Sequence, residues 1–292
     1  MTKVSVIIPA FNAEKFITET INSVLNQTYK NLELIIINDN STDNTEKAIF
    51  QNFTNLIGNK IIYKKNKNNL GRGESANKGF NISSGNFIFF LDADDLWESN
   101  HIETILNYFE NSNTDIIYTK PRKFINESGE IIRISRSKIE KNTAKLIYSC
   151  RIGFPSATAF KRDSFMFYNQ KFKYREDIEL LIRSYITGKK INILDTNTVL
   201  IRQHSSPFRM SLNRNFYIYT LKLYDEYKDK IPPEFIAHFK LHIAEIAFKF
   251  GDFKTGYKML LKSIKTKPSI FLEGRNFALI AKRIIRVDKL LL

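Results

Sequence analysis

The chain has 292 residues, 43% apolar and 26% charged, with 45 Lys or Arg against 30 Asp or Glu for a net charge of +15. That balance fits one large folded domain plus an appendage and excludes a chain disordered throughout. A single cysteine, Cys150, excludes an internal disulfide framework and a cysteine-rich zinc site.

The first strand comes at once. Val4–Ile8 (VSVII) is continuous, apolar and β-branched, as in a strand buried on both faces, and Pro9 is expected to end it. Residues 14–27 put Ile17, Ile21, Val24 and Leu25 on one helical face. Leu32–Ile37 is a second buried strand, and the NDNSTDNT after it is turn-forming and able to cap the next helix. Lys60–Tyr63 is a third strand. NNLGRGESANKGF is a glycine-punctuated loop leading into a short helix. Phe87–Leu91 (FIFFL) is a fourth strand, ending in DADD. Ile102, Ile105, Leu106 and Phe109 mark another helix, and Ile116–Tyr118 a short strand.

Strands alternating with helices over about 120 residues predict an α/β fold with a doubly wound, mostly parallel sheet. Ligands of such sheets lie beyond the carboxyl ends of the strands. Here PAFN, NDNS and DADD follow three different strands, so three chain segments deliver polar side chains to one edge.

After Phe124 the pattern loosens. Gly153–Phe160 is a loop plus strand. A helix carrying Ile178, Leu181, Ile182 and Tyr185 starts near Glu176–Asp177 and ends at Gly188. Ile191–Leu194 and Val199–Ile201 are short strands. From Leu212 the chain is helical, with a hairpin of Phe235–Phe250 and Phe253–Ile264 about Gly251-Asp252; it resembles one tetratricopeptide unit, but no second copy follows at a fixed period. Residues 253–292 hold ten Lys or Arg against Glu273 and Asp288, which is +8 of the net charge. Such a tail suits an anionic membrane surface or is simply a solvated helix face. No zinc finger or RNA-binding aromatic signature accompanies it, so nucleic acid is not expected as a partner. No leader peptide and no run of about 18 apolar residues is seen, which predicts a cytoplasmic protein, with peripheral contact at the inner membrane face through the tail.

Five places carry chemistry. Asp92, Asp94 and Asp95 crowd carboxylates at a strand end; a hard divalent cation would relieve their repulsion, and a helix N-cap is the competing reading. Asp39 stands just past a strand, where a carboxylate could accept a hydrogen bond from a base or ribose, or belong to an ordinary turn. Arg72 lies between two glycines, where a guanidinium can fork onto a diphosphate. Glu176 and Asp177 open a helix, where one could act as general base or merely cap. His204 follows the last strand and is structural or a ligand.

In this order and spacing, VSVIIPAFNAEKFI, LELIIINDNSTD, NLGRGESANKG, GNFIFFLDADD and YREDIELLIR resemble glycosyltransferase family 2, the inverting, metal-dependent sugar transferases of GT-A fold. The resemblance runs from about Lys3 to Arg209. It implies that Pro9, Ala10, Phe11, Asn12 and Glu14 line the nucleotide pocket and that Asp39 reads the nucleoside. It implies that Asp92, Ala93 and Asp94 are the D-x-D motif, holding Mn²⁺ or Mg²⁺ on the donor diphosphate, with Asp95 in support. Asp177, with Glu176 beside it, matches the general base, and His204 falls where some members add a metal or diphosphate contact.

Two departures stand out. Asn38-Asp39-Asn40-Ser41 replaces the common D-D-G-S. Ser75-Ala76-Asn77-Lys78-Gly79 lacks the arginine of A-R-N-x-G, a place Arg72 is expected to fill beside Asn77 as a donor contact. The Q-x-x-R-W motif of processive synthases is absent, which favours single additions. The resemblance implies a nucleotide-sugar donor, UDP-linked by family habit, and a glycan or lipid-linked glycan acceptor in surface polysaccharide or lipopolysaccharide assembly. The expected division is a GT-A domain over 1–210, with a nucleotide half at about 1–120 and an acceptor half at about 121–210, followed by a basic helical region over 211–292 in which an oligomer contact is conceivable. The rival expectations are a nucleotidyltransferase, which would release pyrophosphate, and a non-catalytic glycan-binding or assembly protein on the same fold.

Overall fold

The structure is a computed structural model that describes residues 2–137, 140–204, 212–273 and 276. The chain divides into two units, Met1–Thr143 with Ile152–Arg209, and Ala144–Arg151 with Met210–Leu292. The expected boundary at 210/211 and five of the ten tail cations (Arg275, Lys282, Arg283, Arg286 and Lys289) lie outside the described residues.

In chain order the first unit opens with β1 (Val4–Ala10), α1 (Ile17–Leu25), β2 (Leu32–Asn38), α2 (Thr45–Phe53), β3 (Ile61–Lys65) and α3 (Arg72–Ile82). Next come β4 (Phe87–Phe90), β5 (Leu96–Trp97), α4 (His101–Glu110), β6 (Ile116–Thr119), β7 (Lys123–Ile125) and β8 (Ile131–Ile134). The short α5 (Thr143–Tyr148) belongs, past its first residue, to the second unit. Then follow β9 (Thr158–Lys161), α6 (Glu176–Ile186), β10 (Ile191–Leu194) and β11 (Val199–Arg202).

A seven-stranded sheet runs β10-β6-β9-β4-β1-β2-β3. β1 pairs in parallel with β2 and β4, β2 with β3, and β10 with β6; β9 alone is antiparallel to both its neighbours. This is the mostly parallel α/β fold. β1 is buried along its whole length and β2 and β4 in all but their first residues, as their unbroken apolar runs require. A second sheet, β5-β11-β7-β8, has four strands.

Pro9 does not end β1. Val4 N–H donates to Asn31 and Ala10 carbonyl accepts from Asp39, so even-numbered residues bond toward β2. Odd-numbered ones face β4, whose pairing stops at Ile7. The missing proline donor therefore points where no partner strand remains, the one arrangement a sheet interior tolerates. β7 and β8 were not foreseen, since three- and four-residue strands barely develop a period.

The second unit holds α7 (Arg214–Tyr227), α8 (Pro233–Lys249) and α9 (Phe253–Thr266). Asp252 caps α9, its Oδ1 accepting from Thr255 N–H at 2.9 Å. Ala237, Leu241, Ala244 and Phe248 of α8 pack with Leu260 of α9 and with Ile270. A Cβ on Gly256 would lie 2.5 Å from the Phe248 ring, so this close helix crossing requires glycine. No helix among the described residues is long and apolar enough to cross a membrane.

Candidate active site

The carboxyl ends of β1, β2 and β4 and the start of α6 converge. The β1–α1 and β2–α2 loops are knitted together first. Asn12, at φ 49°, accepts at its Oδ1 from Thr42 N–H at 2.8 Å, and its own N–H donates to Ser41 Oγ at 3.1 Å. Glu14 Oε2 accepts from Asn44 N–H at 2.9 Å. These bonds make Asn12 and Glu14 organisers of the rim. Pro9 and Ala10 are buried in β1, while Phe11 is 49% exposed.

Asp39 is buried. Its Oδ1 accepts from Asn66 Nδ2 and Leu70 N–H and its Oδ2 from Gly71 N–H, each at 2.8 Å. It therefore fixes the loop that delivers Arg72, the first residue of α3.

Arg72 is the centre of charge. Its Nε donates to Glu176 Oε1 at 3.0 Å, its Nη1 lies 3.7 Å from Asp92 Oδ1, and its guanidinium carbon sits 4.6 Å over the Tyr168 ring. Nη1, Nη2, Asp92 Oδ1 and Glu176 Oε2 are all buried without a hydrogen-bond partner. Burial disfavours the cation, but Glu176, Tyr168, Asp92 and Asp177 more than offset it and raise the Arg72 pKa. Burial also pushes Asp92 up to about 6 and Glu176 up to about 7; Arg72 opposes both rises, and the carboxylates add to each other's. Asp177 is raised by burial, against Arg175 and Arg72. A Cβ on Gly73 would fall 2.5 Å from Glu176 Oε2, and one on Gly153 2.9 Å from Asp177 Oδ2, so both glycines make room for carboxylates.

The DADD residues have different surroundings. Asp94 Oδ2 meets His204 Nε2 at 2.7 Å, with the two side chains 35% and 30% exposed. That hydrogen bond, with the nearby charge, raises the His204 pKa against burial. Asp95 is buried instead, accepting from Ser156 Oγ and from Arg202 N–H; burial and its acidic neighbours raise its pKa. It braces the site, as does buried Arg202, whose Nε donates to Asp94 carbonyl at 2.8 Å and whose Nη1 donates to the carbonyls of Asn126 and Glu127. Ala93 is buried, its carbonyl accepting from Thr20 Oγ1.

Asn77 has a different task from the donor contact expected of it. Its Nδ2 donates to Tyr168 carbonyl at 2.9 Å and its Oδ1 accepts from Tyr168 N–H at 2.8 Å. Both ends of the amide are occupied in holding the ring under Arg72. Tyr168, Ser156 and Arg202 were not singled out from the sequence: each is a lone residue whose partner lies far along the chain, and no local pattern marks it.

Among the described residues no three His, Cys, Asp or Glu side chains form a ready metal cage. The Asp94–His204 pair supplies one oxygen and one nitrogen donor, partly exposed, with the unpartnered Asp92 Oδ1 as a further acidic atom. That set fits a divalent ion that completes its shell with substrate phosphate and water, as Mg²⁺ and Mn²⁺ do.

A family model for glycosyl transferase family 2 matches residues 5–168, more than half of the chain. The chain belongs to glycosyltransferase family 2. One family relative, the UDP-Glc:alpha-D-GlcNAc-diphosphoundecaprenol beta-1,3-glucosyltransferase WfgD of Escherichia coli, is 29% identical over 211 residues, 72% of this chain and 80% of its own. Other curated relatives are much longer: the match spans 22% and 32% of uncharacterized glycosyltransferases from Rickettsia bellii and Haemophilus influenzae. Two solved structures share the fold. TarS 1-349 of S. aureus in complex with UDP-GlcNAc superposes with a TM-score of 0.66 at 21% identity, covering 90% of this chain and 81% of that one. The mannosyltransferase PcManGT from Pyrobaculum calidifontis in complex with GDP-Man and Mn2+ superposes at 0.65 with 12% identity, covering 97% and 84%.

Proposed function

We propose that this chain transfers one sugar from a nucleoside diphosphate donor, a UDP-sugar first, to a hydroxyl of a glycan or lipid-linked glycan, in one displacement that inverts the anomeric carbon. The observation that carries the reading is the buried Arg72 guanidinium: Glu176 of α6 holds its Nε, Asp92 lies 3.7 Å from its Nη1, and neither Nη1 nor Nη2 has a hydrogen-bond acceptor. Buried N–H groups without acceptors are costly, and a diphosphate would satisfy both in a fork.

The roles follow from position. Arg72 grips the donor diphosphate and holds it as negative charge grows on leaving. Phe11 offers an exposed ring at the rim for the base, and Asp39 keeps the pocket loop in shape. Asp94 and His204, with Asp92 adjacent, would hold a divalent ion, which neutralises charge on the diphosphate when bound. Asp177, partly exposed and at the start of α6, takes the proton from the acceptor hydroxyl; its raised pKa makes it a better base than an ordinary aspartate. Glu176 keeps Arg72 oriented. Residues 1–210 then form the transferase domain, with the donor handled by 1–120 and the acceptor by 121–210, and 211–292 form a helical region. The E. coli relative's transfer of glucose to a diphosphoundecaprenol-linked sugar supports surface polysaccharide assembly as the setting.

The test is nucleoside diphosphate release by purified chain given UDP-sugars, Mn²⁺ and a lipid-linked glycan acceptor. Asp177→Asn is expected to lower transfer by about 10²–10⁴-fold while donor-induced thermal stabilisation persists. Pyrophosphate as the product would replace this reading with nucleotidyl transfer. Near-normal turnover in Asp177→Asn would show that another group is the base.

A further inference from the structure

We infer that the β7–β8 hairpin is a docking edge for an anionic lipid surface. All four residues of β8 are exposed, and Ile131, Ile132 and Ile134 are 49%, 51% and 56% exposed. Three half-exposed isoleucines within four residues of one edge strand are an unusual exposure of apolar surface and mark an interaction site.

Register arranges them. Lys123 pairs with Ile134, Phe124 with Arg133 and Ile125 with Ile131, so Ile132 is an inserted residue. Neighbours along β7 face opposite sides of the sheet. Ile131 and Ile134 therefore share one side, and Arg133 lies on the other, its guanidinium carbon 3.7 Å over the Phe124 ring. The bulge gathers isoleucine where strict alternation would have placed Arg133 beside Ile131.

The rim is basic. Lys120 Nζ donates to Ser137 carbonyl at 2.8 Å, while Arg122, paired with Asp195, adds no free charge and serves to hold the carbonyls of Ser135 and Ser137. Arg133 and Arg136 are exposed and have no acidic partner among the described residues. Isoleucines flanked along the edge by Lys120 and Arg136, with Arg133 on the other side of the strand, suit a bilayer with anionic headgroups, where area burial and charge attraction add. A second copy of this chain suits the edge less well. Antiparallel pairing of β8 with itself would bring Arg133 and Arg136 against their own kind, and a bulged edge resists pairing.

The hairpin also adjoins the site. Its turn is held by Arg202 through the carbonyls of Asn126 and Glu127, and Glu127 Oε1 lies 4.0 Å from His204 Nδ1. A surface seated on β8 would bring a membrane-borne acceptor toward Asp94 and His204, a consequence that rests on the proposed transfer, although the docking itself does not.

Vesicle sedimentation of the full chain tests it, with phosphatidylglycerol–phosphatidylcholine vesicles against phosphatidylcholine alone. Ile131→Thr/Ile132→Thr/Ile134→Thr keeps β-branched residues in the strand, and Arg133→Gln/Arg136→Gln removes the rim charge. Each set is expected to lower partitioning onto anionic vesicles by about tenfold or more. Circular dichroism and nucleoside diphosphate release with a soluble acceptor should stay unchanged, and Asp177→Asn should still bind vesicles. Wild-type partitioning in the isoleucine variant would overturn the inference, as would equal binding to neutral vesicles. A dimer that dissociates in that variant would assign the edge to a second copy instead.

Discussion

Gly73→Ala is the sharpest probe of the Arg72 cluster, because it adds one methyl and removes no functional group. The new Cβ would stand 2.5 Å from Glu176 Oε2 and 2.8 Å from its Cδ. Contact distance requires the carboxylate to retreat by roughly 1 Å, which stretches the 3.0 Å Arg72–Glu176 bond beyond hydrogen-bonding range. A charge-assisted bond of this kind contributes about 1.5–3 kcal/mol. Alanine in a helix offsets up to about 1 kcal/mol of that, so net destabilisation should be about 0.5–3 kcal/mol. If the guanidinium is aimed by Glu176 at the transition state, the same 1.5–3 kcal/mol appears as about a 10–150-fold loss of kcat/KM. The assay pairs a thermal melt with steady-state nucleoside diphosphate release. Glu176→Ala supplies the control: with no carboxylate left to displace, adding Gly73→Ala to it should cost little further activity, a non-additive double-mutant cycle. Full activity in Gly73→Ala, or simple additivity in the double variant, would refute the claim that Glu176 orients Arg72.

Three further outcomes follow from other parts of the site and sheet. Asp94→Ala should raise the Mn²⁺ concentration for half-maximal transfer by about tenfold or more, one lost charged ligand being worth at least about 1.4 kcal/mol; identical Mn²⁺ titrations would remove the metal assignment. Asp39→Asn leaves one oxygen where two served Asn66, Leu70 and Gly71, so it should cost about 1–3 kcal/mol in a denaturant melt and raise donor KM through the displaced Arg72 loop; an unchanged KM with lowered stability would confine Asp39 to a structural role. Glu33 governs acid stability. Burial alone would raise its pKa, but Lys3, Ser5 and Ser84 outweigh burial and hold it at about 2, below the ordinary 4.5. The contribution, about 3 kcal/mol at most, is fully present above pH 4.5 and is lost as pH falls toward 2; in Glu33→Gln, stability between those values should be flatter with pH.

The sequence showed the sheet and its chemical edge because buried parallel strands must be unbroken apolar runs, and the strand ends stood out as sudden polar tetrads. It also singled out Arg72, as a grip for a diphosphate, but not its pairing with Glu176 and Asp92. What it could not show was any element defined by a distant partner. β9 runs antiparallel between β4 and β6, yet its residues look like those of any buried strand. Tyr168 lies under Arg72 because Asn77, 91 residues earlier, clamps its backbone. Pro9 misled for a related reason: whether a proline breaks a strand depends on which neighbour its nitrogen faces, and β4 had to be in place to decide it.

Asp94 and Asp95 carry the point furthest. They are chemically identical and adjacent, so no local rule distinguishes ligand from brace. Asp95 is drawn inward by Ser156, 61 residues away, and by the backbone of Arg202, 107 residues away. That leaves Asp94 facing His204 at the open rim. Arg202 then fixes both acids at once, taking Asp94 by its carbonyl and Asp95 by its carboxylate. The acid free to meet a cation is therefore selected by the pairing of β11 with the second sheet rather than by the DADD tetrapeptide. A change that loosened β11 would disturb the candidate metal pair without touching any aspartate.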